Sequence, residues 1–185
     1  NNDNVVEATE TMTASLGNIT NYNGTVTVSG TNGTGTGTLL DNDYAAITIA
    51  DVSGAENGGD ITVSLVLDVD VDEAFTVNVN TSDGTATAGD YTDVVNQTIN
   101  FAGSAGETRT FTFTPVDDDI LEDNETVLLA MSALSTSRSV NITDEAVITI
   151  TNDDDATLTI DNQSATEGNN ILFTLELSDD VQGDV

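Results

Sequence analysis

The chain has 185 residues and a formal charge of −31, from 33 acidic side chains against two arginines, with no lysine or histidine. A charge of that sign excludes nucleic acid and anionic membranes as partners, because both require a positive face. Cysteine is absent as well, which removes disulfides, thiolate or imidazole zinc sites and Cys- or His-based nucleophiles, and no apolar run approaches the ~20 residues that cross a bilayer.

In chain order the sequence reads as one whole repeat between two partial ones. The segment "DNVVEATETMTASL" from Asp3 returns as "DDILEDNETVLLAM" from Asp118, pairing Glu7 with Glu122 and Glu10 with Glu125. "AITIADVSGAENGGDITVSLVL" from Ala46 returns as "ATLTIDNQSATEGNNILFTLEL" from Ala156, pairing Glu56 with Glu167 and Leu65 with Leu175. The expected organisation is therefore the later part of one unit at 1–43, a complete unit at 44–154, and the first part of another at 155–185: a window on a tandem array.

Within the complete unit the apolar residues recur with period two, the period of a half-buried strand. Val63, Leu65 and Leu67 alternate with polar or outward positions, as do Phe111 with Phe113 and Ile148 with Ile150. Strands are expected over 46–51, 60–67, 73–81, 95–102, 107–116, 124–133 and 145–152, with no helix. Seven short strands in a unit of this size predict an all-β, immunoglobulin-like antiparallel β-sandwich.

The acidic residues gather at the strand ends: Glu56, Asp90, Asp117–Asp119, Glu122–Glu125 and Asp153–Asp155. Alternate strand ends of an antiparallel sandwich lie at one pole, so these groups are placed to converge. Two carboxylates ~5 Å apart repel by roughly 3 kcal/mol at an effective dielectric of about 20. About nine together would exceed a domain's usual stability of ~5–15 kcal/mol unless protonated or neutralised. An all-oxygen donor set suits a hard cation, and many carboxylates on separate loops suit calcium better than magnesium. Composition alone leaves a second reading open, in which each Asp run is a solvated turn. The spacing of an EF-hand is missing, and with no Trp and few aromatics the unit has little to line a sugar cleft. No catalytic role is expected.

Three spaced motifs narrow this further. "DGTATAGDYT", then "INFAGSAGETRTFTFTPVDDDILEDNETVLLAMS", then "AVITITNDDD" together resemble a Calx-β domain, a calcium-binding module of sodium–calcium exchangers that also occurs in tandem in large extracellular and bacterial surface proteins. The resemblance covers all of 44–154 and implies a Ca2+ ligand set of Glu56, Asp90, Asp117, Asp118, the backbone carbonyl of Ile120, Glu122, Glu125, Asp153, Asp154 and Asp155. Asp83 and Asp119 are assigned supporting roles and Asp123 faces solvent. "AGSAGETRT" carries one residue more than the family pattern, which should alter a hairpin and leave the metal site alone.

The expectation for the whole is a calcium-binding structural repeat of an extracellular, cell-surface protein, a bacterial adhesin stalk that Ca2+ makes rigid. Its partners would be calcium ions and neighbouring repeats of the same chain, with surface glycans or proteins engaged through other regions. Neither nucleic acid nor direct membrane insertion is expected. A regulatory calcium sensor of a transporter and a self-assembling filament or sheath subunit are the alternatives.

Overall fold

A computed structural model of the protein describes residues 3–17, 23, 24, 26–28, 30 and 33–183; the remaining parts of segments 1–43 and 155–185 lie outside the described residues. Eight strands build the central body: β1 (Ala45–Ile49), β2 (Val52–Ala55), β3 (Ile61–Leu67), β4 (Phe75–Asp83), β5 (Gln97–Phe101), β6 (Thr108–Phe113), β7 (Glu125–Ser132) and β8 (Glu145–Thr151). One sheet runs β6, β3, β1, with the short strand Val140–Asn141 at its edge; the other runs β2, β8, β7, β4, β5. Pairing is antiparallel except where Val140–Asn141 joins β1 and where β2 joins β8.

Period-two alternation produces this sandwich. Ile61, Val63, Leu65 and Leu67 of β3 all point inward, and Val77, Leu129 and Ile148 from the second sheet are fully buried opposite them. Each such aliphatic side chain contributes about 1.5–3 kcal/mol when removed from water. Phe75 stacks on Phe101 with ring centroids 5.4 Å apart, which ties β4 to β5.

The seven expected strands are all present, and β2 is an eighth. The chain leaves the first sheet after Ile49 and enters the second at Val52, so its opening strand is divided between the layers. Two carboxylates hold that crossing: Asp144 accepts the Ile49 N–H and Asp51 accepts the Val147 N–H, each at 2.8 Å. Val-Ser-Gly-Ala shows no alternation because β2 is a half-buried edge strand with a glycine inside it.

The hairpin with the additional residue is closed by Glu107, whose carboxylate accepts the N–H groups of Ala102 at 2.8 Å and Gly103 at 3.0 Å and pairs with Arg109. Gly103 sits at φ +97° with Val71 O 2.4 Å from where a Cβ would be, so only glycine fits. The second arginine, Arg138, grips Asp72 through Nε and Nη2, at 2.5 and 3.1 Å.

On either side of the sandwich lies a two-stranded antiparallel hairpin, Glu10–Ser15 with Thr34–Leu39 and Leu158–Ile160 with Leu175–Leu177. Each flank also meets the sandwich through a two-residue parallel bridge, Val5–Val6 with Asp70–Val71 and Ile120–Leu121 with Asp180–Val181. Among the described residues no helix is long and apolar enough to cross a membrane.

Candidate metal centre

The acidic loops do meet, as two groups of three. One carboxylate oxygen each from Glu56, Asp118 and Asp154 lie within 4.8 Å of one another, and so do one each from Asp90, Glu122 and Glu125. The two groups adjoin through Asn152, whose side chain bonds both the Glu122 N–H and the Asp154 carbonyl.

Local structure aims each side chain. Glu56 opens the 3-10 turn Glu56–Gly58 that follows β2. It is 5% exposed, and its Oε1 accepts the Asp153 N–H at 3.2 Å. Asp90 closes the Thr87–Asp90 turn: its Oδ2 accepts the Thr87 N–H at 2.5 Å and the Thr87 hydroxyl at 3.0 Å. Beneath it Tyr91 is buried, stacked on Phe113 at 5.5 Å and donating its hydroxyl to Asp83 at 2.7 Å. The turn is anchored from the other side by the Val116 N–H, which donates to Asp90 O at 2.9 Å. Glu122 and Glu125 flank the entry to β7, where Glu125 is 6% exposed.

Two amides that sequence reasoning passed over lock these loops together. Asn152 Oδ1 accepts the Glu122 N–H at 3.0 Å, and its Nδ2 donates to Asp154 O at 3.0 Å. Asn124 Oδ1 in turn accepts the Asn152 N–H at 3.2 Å. Their only sequence signal is position, since each stands beside an acidic run.

Not every expected ligand reaches a group. Asp117, Asp153 and Asp155 are exposed and contribute no oxygen to either triad. Asp153 instead accepts from the backbone and side-chain amides of Asn57. At Ile120 the N–H donates to Asp118 Oδ1 at 2.9 Å. Asp83 takes the supporting role through Tyr91, and Asp119 and Asp123 are exposed.

The electrostatics are those of carboxylates held together without a counter-charge. Burial first, then the charges of Glu125, Asp90, Asp118 and Glu56, push the Glu122 carboxyl up to about 7. Burial also raises Glu125, reinforced by the neighbouring Asp90 and opposed by the Gln182 amide. Glu56 rises through burial, opposed by the Asp153 N–H and reinforced by Asp154. Asp154 rises through burial and the charges of Asp153 and Asp119. One oxygen in each group, Glu125 Oε2 and Asp154 Oδ2, is buried without a hydrogen-bond partner among the described residues. A buried acceptor of that kind costs about 1–3 kcal/mol or more when charged. All donors are oxygens on separate loops, so the residues fit a hard cation of flexible coordination.

The arrangement defines a class: a β-sandwich with convergent acidic loops at one pole. The family model for the Calx-beta domain matches residues 41–155, and the chain belongs to that family. Among solved structures it is similar to the apo-form Calx CBD1 domain, at 23% identity and a TM-score of 0.53, covering 60% of this chain and all of that one. It is also similar to CBD12 from CALX1.2, at 22% identity and a TM-score of 0.51, covering 62% of this chain and 48% of that chain. The calcium binding domain CBD12 of CALX1.1 matches at 23% identity and a TM-score of 0.50, covering 61% and 49%. This chain thus spans about half the length of the CBD12 structures. At these identities the likeness is one of fold. No curated protein matches the chain.

Proposed function

We propose that the central domain binds calcium and serves as a structural repeat of an extracellular, cell-surface protein, a stalk that the ion stiffens. The observation that carries this reading is the pair of adjoining carboxylate triads, each with a buried oxygen that no described residue satisfies. Glu56, Asp118 and Asp154 would hold one side of the site and Asp90, Glu122 and Glu125 the other. Asp117, Asp153, Asp155 and the Ile120 carbonyl complete the donor set that family membership suggests. A bound divalent cation supplies the positive charge that the chain itself lacks there. The protein's own residues do the rest: Thr87 orients Asp90, Asn152 orients Glu122, and Tyr91 keeps water from beneath the turn.

The stalk reading is supported by where these loops lie. Asp153–Asp155 run directly into the segment that leads to the next hairpin, and Ile120–Leu121 pair with Asp180–Val181 beyond it. An ion that draws Asp154 toward Glu56 would therefore shorten the free play of the connecting chain. Extracellular calcium is millimolar, so affinity of about 10⁻⁴–10⁻³ M suffices. Titration calorimetry of the whole chain with calcium chloride and magnesium chloride tests the reading. Calcium binding that alanine at Glu56 and Glu122 abolishes is expected, and no calcium heat, or unchanged heat in those variants, would refute it.

A further inference from the structure

The two bridges between the sandwich and its flanks occupy the same repeat positions. Val5 and Val6 correspond to Ile120 and Leu121, and Asp70, Val71 and Asp72 correspond to Asp180, Val181 and Gln182. At one bridge Val5 faces Asp70 and Val6 faces Val71; at the other Ile120 faces Asp180 and Leu121 faces Val181. The next N–H follows suit, Asp72 N donating to Val6 O at 3.0 Å and Gln182 N to Leu121 O at 2.9 Å. Two bridges in one register, each running from the residues just before a Glu-x-x-Glu step to the short strand that follows β3 or its repeat counterpart Leu175–Leu177, describe a repeated joint.

The side chain at the third position differs, and its surroundings differ with it. Gln182 donates its amide Nε2 to Glu122 Oε1 at 3.0 Å and Glu125 Oε1 at 3.3 Å. An amide can donate to carboxylates whatever the charge they carry. The corresponding Asp72 cannot, and the carboxyl of the corresponding Glu7 is raised by burial first, then by the charges of Asp3, Glu10 and Asp72. Here Arg138 intervenes: it grips Asp72 and also reaches Glu73 at 3.3 Å. Asp72 Oδ2 then accepts the Ala8 N–H of the preceding segment at 3.4 Å. One of only two cations in the chain is thus placed at the joint that has the carboxylate.

We propose that this bridge is the docking surface between successive units, that its partner is the next copy of the same fold, and that the residue at position 72 or 182 decides what holds each joint. At the first joint the Asp72–Arg138 ion pair, internal to the central unit, holds Asp72 where it accepts the Ala8 N–H of the preceding unit; at the second the Gln182 amide is seated on Glu122 and Glu125. The inference rests on the division into repeats, and because Gln182 shares Glu122 and Glu125 with the proposed ion site it is tested without calcium.

The chain has no cysteine, so spin labels can be placed at will on exposed strand positions. A pair at Thr11→Cys and Asn100→Cys reads the first joint, and a pair at Asn100→Cys and Glu176→Cys reads the second. Pulsed electron–electron distance measurements in chelator are expected to show one narrow peak for each pair. Arg138→Gln should abolish the narrow peak of the first pair alone, and Arg138→Lys should restore it. Gln182→Glu, which sets a third carboxylate against Glu122 and Glu125, should abolish that of the second pair alone. A broad distribution in the parent chain, narrow peaks surviving both substitutions, or both joints loosened by either one would overturn the proposal. Because no calcium is present, a failure of the calcium titration leaves this result standing, and the reverse holds as well.

Discussion

Glu122→Gln is expected to stabilise the ion-free protein and to remove most of its response to calcium, so that the ion reverses the order of the two proteins. Glu122 carries its proton up to about pH 7 in the fold, against an ordinary value of 4.5. Between those values the folded state holds a proton that the unfolded chain has lost. Ion-free stability from this group is therefore unaffected below 4.5, falls as pH rises through the window, and stays low above it. At 1.36 kcal/mol per pH unit the displacement from 4.5 to about 7 is on the order of 3 kcal/mol. Water reaching this half-buried group reduces the realised penalty to about 1–2 kcal/mol. Gln keeps the shape and loses the charge, so at pH 8 in chelator the variant should melt about 4–8 °C higher. At pH 4.5 the two should melt together. Calcium at a hundredfold excess over its dissociation constant adds about 2.7 kcal/mol to a protein that binds it, and the parent should then overtake the variant. Scanning calorimetry at both pH values, with chelator and with calcium chloride, reads all four states. A variant that melts at or below the parent at pH 8 in chelator would refute the repulsion argument. Equal calcium-induced rises in both proteins would refute the site.

Three further outcomes are expected. Tyr91→Phe removes the hydroxyl that Asp83 accepts and should cost about 1 kcal/mol of unfolding free energy in urea, with calcium affinity by calorimetry unchanged. Asp154→Ala should lower calcium affinity at least about tenfold, as expected for a lost charged ligand worth ~1.4 kcal/mol or more, whereas Asp123→Ala, an exposed neighbour, should leave it alone. Gly103→Ala forces a Cβ to within 2.4 Å of Val71 O at a positive φ. It should lower the urea midpoint by the equivalent of about 2 kcal/mol or more.

How far the sequence discloses this molecule depends on which physical signal each part leaves. Strands such as Ile61–Leu67 bury every second side chain, and that alternation is visible in the order of residues. Val52–Ala55 leaves no such trace, because a parallel edge strand with Gly54 inside it neither alternates nor concentrates β-branched residues. The acidic loops announce themselves through composition, yet composition cannot sort Asp118 from Asp117. That choice depends on which carboxylate the backbone aims at Glu56 and Asp154, and Asp118 is fixed by its bond to the Ile120 N–H. Asn152 and Gln182 were not legible as part of the site at all. Their role is to donate hydrogen bonds between loops, and an amide in an Asn-rich chain carries no mark of that duty until the loops are folded. Asp90 shows the opposite case, since the turn that positions it lies within four residues and could be read locally.

The scarcity of cationic side chains has one more consequence. A protease that cuts after arginine or lysine finds two bonds in this chain, following Arg109 and Arg138. The first lies within a strand hydrogen-bonded to Ile61–Leu67, where the backbone cannot adopt the pose a protease active site demands. The second is shielded while Arg138 holds Asp72. Digestion after Arg138 therefore requires the ion pair with Asp72 to open first, so resistance to a trypsin-like enzyme reports on a single surface contact.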